Sequence, residues 1–141
     1  MQAAGELIVH VVAGILRDAG GRVLIAQRPQ GKHLAGGWEF PGGKLHAGES
    51  AEAALVRELR EELGVEISGL ERFITIDHEY ADRRVLMQTF LVRQCNGEPR
   101  GREGQAIRWC PLAELAGAGI LPADMPIIAA LAAAGESMQP T

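Results

Sequence analysis

Three glutamates, Glu58, Glu61 and Glu62, fall within five residues of this chain. In a helix, at ~100° per residue, Glu62 would lie about 40° to one side of Glu58 and Glu61 about 60° to the other. Leu55, Leu59 and Leu63 gather in a separate sector that reads as the core-facing stripe, and Arg57 and Arg60 take a third. Like charges this close repel by about a few tenths of a kcal/mol per i,i+4 pair. A helix selected for solubility alone would interleave lysines here. A hard divalent cation relieves the repulsion and takes oxygen ligands. Alone, the three acids also suit a solvated helix face, but two neighbours favour chemistry. Gly42-Gly43 lies upstream, where bare backbone can offer a carbonyl or come close to phosphate oxygens. Glu49 is placed to meet Arg57, and that ion pair would tie the loop to the helix.

The elements that position these residues follow from pattern. Ser50 predicts an N-cap, and the helix should run to about Leu63 with Gly64 as its left-handed terminator. Leu7–Arg17 reads as a strand, Asp18-Ala19-Gly20-Gly21 as a turn, and Arg22–Arg28 as the returning arm of a hairpin. Pro29 to Gly48, with Gly36-Gly37 and Pro41-Gly42-Gly43, reads as a long functional loop. Leu70–Glu79 and Arg84–Gln94 are two further β-rich runs, joined across Tyr80-Ala81-Asp82-Arg83, and Asn96-Gly97 marks another turn. Ile107–Cys110 predicts a short strand, Pro111–Leu115 one helical turn, and Asp124–Ala134 a closing helix. The order ββ–α–ββ–β–α predicts one α+β domain over residues 1–134, a mixed sheet packed with helices. Residues 135–141 are expected to form a frayed tail.

The chain's 141 residues suit one core, which at this length should bury roughly 68% of the unfolded surface. No apolar run approaches the ~18 residues of a membrane span. No basic n-region with a small-residue cleavage site marks export, so a cytoplasmic location is expected. Cys95 and Cys110 lack CxxC spacing and read as reduced packing thiols. Fourteen basic against eighteen acidic residues leave a net charge of −4. That balance excludes a sequence-independent nucleic-acid binder, which needs a basic face. It leaves room for a phosphorylated small molecule brought to the acids by a divalent ion. A monomer is expected.

Gly43, five residues, Glu49, seven residues, then Arg57-Glu58-Leu59-Arg60-Glu61-Glu62-Leu63-Gly64-Val65 resembles a complete Nudix box, each fixed position filled at the right spacing. The chain is most similar to MutT-type pyrophosphohydrolases. Val11–Arg17, Trp38–Lys44, Tyr80–Arg83, Gly97–Gln105 and Leu121–Asp124 extend that likeness over roughly residues 7 to 133. The resemblance implies an α/β/α sandwich and dependence on Mg²⁺ or Mn²⁺. It also implies hydrolysis of a nucleoside triphosphate to the monophosphate and pyrophosphate. Glu58, Glu61, Glu62, the carbonyl of Gly43 or Gly42, and the distant Glu103 would carry metal. Glu58 is the first choice of general base and Glu103 the alternative, since a glutamate committed to two metals is a poor base. Arg28 and Lys44 are candidate phosphate contacts.

The box handles phosphates, so the base must be read elsewhere. In MutT-like proteins that bind 8-oxo-dGTP, the matching positions here are Val9, Val11, Glu39-Phe40, Tyr80 with Val85 and Met87, and Asp124. Val9, Val11, Val85 and Phe40 also suit plain core packing. His33 could reach substrate or simply stand exposed on its loop. Asp124 departs from the asparagine of the 8-oxo-dGTP pattern. Asparagine donates and accepts at once, whereas an ionised aspartate only accepts. Burial could protonate it and restore a donor. Aspartate there also resembles relatives acting on cytidine nucleotides, and Asp124 could equally serve as N-cap before Met125-Pro126. Oxidised dGTP is therefore the first expectation, a pyrimidine triphosphate the second, and a non-catalytic nucleotide-sensing module the third.

Overall fold

The computed structural model describes residues 7–32 and 34–134, so His33 and the expected tail at 135–141 lie outside the described residues. Among the described residues, two sheets and two α-helices make up the fold. One sheet has the order β4-β1-β6-β5 and is mixed: β1 (Ile8–Ile15) runs parallel to β6 (Arg83–Asn96) and antiparallel to β4 (Gly42–Lys44). At its edge, β5 (Glu66–Tyr80) pairs antiparallel with β6. The second sheet is antiparallel, with β2 (Val23–Gln27) between β3 (Trp38–Glu39) and β7 (Ile107–Cys110).

Side-chain alternation explains the layers. Along β1, Val12 packs toward one apolar cluster and Ala13 and Ile15 toward the other; along β2, Leu24 takes the first side and Val23 and Ile25 the second. Both faces are covered over Val12–Leu16 and Val23–Ala26, which is why those stretches are continuously apolar. The first cluster is closed by α1 (Ala51–Leu63) through Ala54, Leu55, Leu59 and Leu63, all fully buried. The second is closed by α2 (Met125–Ala133) through Ile127 and Leu131, helped by Leu115 on the 3₁₀ turn Leu112–Gly117. Helices on either side of a mixed β layer give the expected sandwich.

The hairpin expected between the first two strands is corrected. Asp18 does make the turn, its Oδ1 accepting from the Gly20 and Arg22 N–H groups. Beyond it, the backbones are joined by the Arg17–Val23 bridge and the Leu24 N–H to Leu16 carbonyl bond, and β1 and β2 then part into different sheets. A turn fixes a reversal of direction, not which edges pair, and each of these buried strands has two other partners. The long loop after Arg28 also contains two short strands. Gly42 allows one of them: a Cβ there would lie 1.9 Å from the Val12 carbonyl oxygen, so only glycine lets β4 lie against β1.

Candidate active site

The acidic end of the site is built locally. Ser50 Oγ accepts from Ala53 N–H at 3.0 Å, and Gly64, at φ 72°, returns its N–H to the Arg60 carbonyl. The helix is thus fixed at both ends in the predicted register. With its leucines buried, α1 turns Glu58, Glu61 and Glu62 into a cleft of about 750 Å³. Glu103, on the segment between β6 and β7, lines the same cleft.

Arg57 organises this end. Its Nε and Nη2 hold both Glu49 oxygens at 2.7 and 2.9 Å, and Nη2 also reaches the Lys44 carbonyl at 3.0 Å. Nη1 meets Glu58 at 3.1 Å and Glu61 at 3.3 Å. Glu49 in turn accepts from the His46 N–H at 2.9 Å. Hydrogen bonds from Arg57, then from His46, pull the Glu49 carboxyl down to about 2, and the bonds to Glu49 and Glu58 raise Arg57. The expected loop-to-helix ion pair is therefore present, and it also orients Glu58.

Glu58 packs on Gly43, where a Cβ would come within 2.3–2.5 Å of its carboxylate. Burial raises the Glu58 carboxyl, with Glu61 and Glu103 adding to the rise and Arg57 opposing it. Glu62 is pushed up to about 9 by burial first, then by Glu58, Glu39 and Glu103, while the Gly42 backbone pulls the other way. Among the described residues, no three His, Cys, Asp or Glu side chains form a ready-made metal shell. Even so, the donor set fits a hard divalent cation: oxygen donors, several acids in one cleft, and a crowding that positive charge would relieve.

The other end of the cleft is drier and drawn from distant parts of the chain. Val9 lies beside Val85 and Val11 beside Met87 in the parallel β1–β6 register. Val85 and Met87 belong to the core and also line the cleft. Phe40 is 3% exposed and packs in the core, while its N–H donates to Asp124 Oδ2 at 2.8 Å. The capping role considered for Asp124 is overturned: it stands at the N-cap position of α2 but makes no side-chain bond to the helix, its backbone already helical at the end of the turn Pro122–Asp124 and its Oδ2 turned to the Phe40 amide. Asp124 is 4% exposed, and burial pushes it up to about 7, with Glu39 adding and Arg28 and the Phe40 N–H opposing.

Tyr80 accepts from the Ala123 N–H at 3.1 Å, joining the β5–β6 hairpin to the turn that carries Asp124. Arg28 stands 3.3 Å from Glu39, beside this end. Lys44 is exposed at the cleft wall. The cleft also takes in Lys32, Arg83 and Gln105, which sequence reasoning did not single out. Arg83 and Gln105 lie within segments that carried the family likeness, which was their only signal; Lys32 had none beyond its loop.

Known proteins place this arrangement. A family model described as NUDIX domain matches residues 12–130, and the chain belongs to that family of hydrolases. The 8-oxo-dGTP diphosphatase of Escherichia coli K12 is 37% identical over 123 residues, covering 87% of this chain and 95% of that enzyme. The CTP pyrophosphohydrolase of the same organism is 39% identical over 126 residues, covering 89% and 93%. Among solved structures, the solution structure of the E. coli ORF135 protein superposes with a TM-score of 0.82 at 35% identity, covering all of both chains. The fold is the Nudix fold.

Proposed function

We propose that this chain is a nucleoside triphosphate pyrophosphohydrolase acting on 8-oxo-dGTP to release the monophosphate and pyrophosphate, in nucleotide-pool sanitation. One observation carries the reading: a single cleft joins an acidic end to a more apolar end that holds the buried Asp124 beside Glu39. A triphosphate spans such a cleft with its charges at the acids and its base in the apolar part.

Glu58, Glu61, Glu62, Glu103 and the Gly43 carbonyl would hold Mg²⁺ or Mn²⁺. When bound, such an ion screens the triphosphate and makes a water acidic enough to attack at neutral pH. Glu58 takes that water's proton, with Glu103 as the alternative base; Arg57 and Glu49 keep Glu58 in place. Arg28 and Lys44 offer positive charge to the phosphate chain, Arg28 sharing its guanidinium with Glu39. The balance of charge supports free nucleotides rather than nucleic acid as partner. Among the described residues no helix is long and apolar enough to cross a membrane. We read the protein as a cytoplasmic monomer, a single domain over residues 1–134.

A cytidine triphosphate is the second reading, and Asp124 favours it. With Oδ2 given to the Phe40 N–H, the other oxygen is left to read the base. Protonated, it donates to the O6 carbonyl of 8-oxoguanine; ionised, it accepts from an exocyclic amine. Pyrophosphate release in Mg²⁺ from 8-oxo-dGTP, dGTP, CTP and dCTP tests the proposal, with 8-oxo-dGTP expected fastest. Asp124→Asn should raise 8-oxo-dGTP turnover relative to CTP. If neither rate moves, Asp124 does not read the base, and silence across the panel leaves a module that binds without cleaving.

A further inference from the structure

We propose that Gln105 is a positioning residue, its carboxamide locking Glu103 in register with the acids of α1. The inference rests on the reading that Glu103 serves the reaction. Glu103 lies 41 positions beyond Glu62 on an exposed segment with no helix or strand of its own, yet its charge is felt by both Glu58 and Glu62. Something must hold it there.

The Gln105 side chain makes two bonds, one in each direction. Its Nε2 donates to the Glu62 carbonyl at 3.1 Å, and its Oε1 accepts from the Glu103 N–H at 2.9 Å. One amide plane therefore ties together the backbones of two cleft acids. Each atom has the required polarity: the helix-end carbonyl, which also accepts from the Arg102 N–H, has a second lone pair for the amide N–H, and the loop N–H takes the amide oxygen as its acceptor. Gln105 is half-buried in the cleft wall, and its bond to the Glu62 carbonyl is the more sheltered of the two, the bond to the Glu103 N–H being exposed.

Other bonds fix the segment upstream. The Arg100 N–H donates to the Leu63 carbonyl and the Arg102 N–H to the Glu62 carbonyl, each at 3.0 Å, and Arg102 Nη1 reaches the Arg60 carbonyl at 3.4 Å. Downstream, the Gln27 N–H bonds the Ala106 carbonyl at 2.9 Å. Between these anchors, the Gln105 carboxamide joins the Glu103 backbone to α1. Its loss should leave the segment attached and free Glu103 to wander.

Gln105→Met keeps the length of the side chain and removes both bonds. It should lower kcat by about 10- to 100-fold, the usual cost of a misplaced reacting group, with KM for the triphosphate little changed. Glu103→Gln should lower kcat by about 100-fold or more. Adding Gln105→Met to Glu103→Gln should cost nothing further, since there is then no carboxylate to position. In the metal-free protein, hydrogen exchange at the Glu103 N–H should speed up in Gln105→Met, while the Arg100 and Arg102 N–H groups stay protected. Should Gln105→Met not fold, Gln105→Ala carries the same test. Equal losses on both backgrounds would make Gln105 a general support of the fold, and an unchanged kcat or Glu103 exchange rate would remove the latch; either overturns the proposal. Full turnover by Glu103→Gln would instead sink the role of Glu103, and the positioning role with it.

Discussion

The two ends of the cleft solve opposite problems with the same group. Each presents carboxylic acids that burial raises, Glu62 to about 9 and Asp124 to about 7. At the acidic end, neighbouring carboxylates deepen the rise, and Arg57 supplies the nearby compensating charge. At the base end, Asp124 sits among apolar side chains with one carboxylate, Glu39, adding to its rise and Arg28 and the Phe40 N–H opposing it. Crowded acids can gather a cation; an acid held near its midpoint can serve as donor or acceptor. Neighbours, more than burial, separate the two functions.

The largest effect should come from removing the buried acid at the base end. Asp124 has a folded value of about 7 against an ordinary 3.8, so the folded state holds the extra proton between those values. Its contribution to stability is complete below pH 3.8 and is lost as pH rises through 7, by up to roughly 4 kcal/mol. Glu39, Arg28 and Tyr80 face it and will modulate the amount. Thermal midpoints of Asp124→Asn and the parent should therefore diverge between pH 4 and 8, the variant gaining as pH rises. A constant difference would erase the contrast between the two ends.

A smaller effect is expected at Gly43. Its Cβ would displace the tip of a flexible side chain, so Gly43→Ala should keep its thermal midpoint and lose about 10- to 100-fold in kcat. Parent-like turnover would mean that the Glu58 position does not matter. Smallest of all, Ser50→Ala removes one capping bond and should cost about 1 kcal/mol in thermal or denaturant unfolding. A larger loss would show that the acidic end depends on more than its local caps.

Much of the acidic end was legible because its signals are local. Ser50, Gly64, the leucine stripe and the Glu49–Arg57 pair all act within one stretch of chain, where spacing translates directly into geometry. The base end was legible only as a set of candidates: the Phe40–Asp124 bond joins residues 84 apart and the Tyr80–Ala123 bond residues 43 apart. No periodicity encodes such meetings. The capping reading of Asp124 failed for this reason, as did the hairpin reading of the first two strands.

The sequence by itself determined α1, its caps, the acids on one face, the β-rich runs that become β1, β2, β5, β6 and β7, and the family. Those follow from interactions between residues a few positions apart, where the backbone leaves few alternatives. Only the tertiary structure decided which strand edges pair, which partner takes the Asp124 carboxylate, and how Gln105 brings Glu103 to the helix. These contacts depend on bringing distant segments together, and their bonding groups could have found other partners in another arrangement of the same elements.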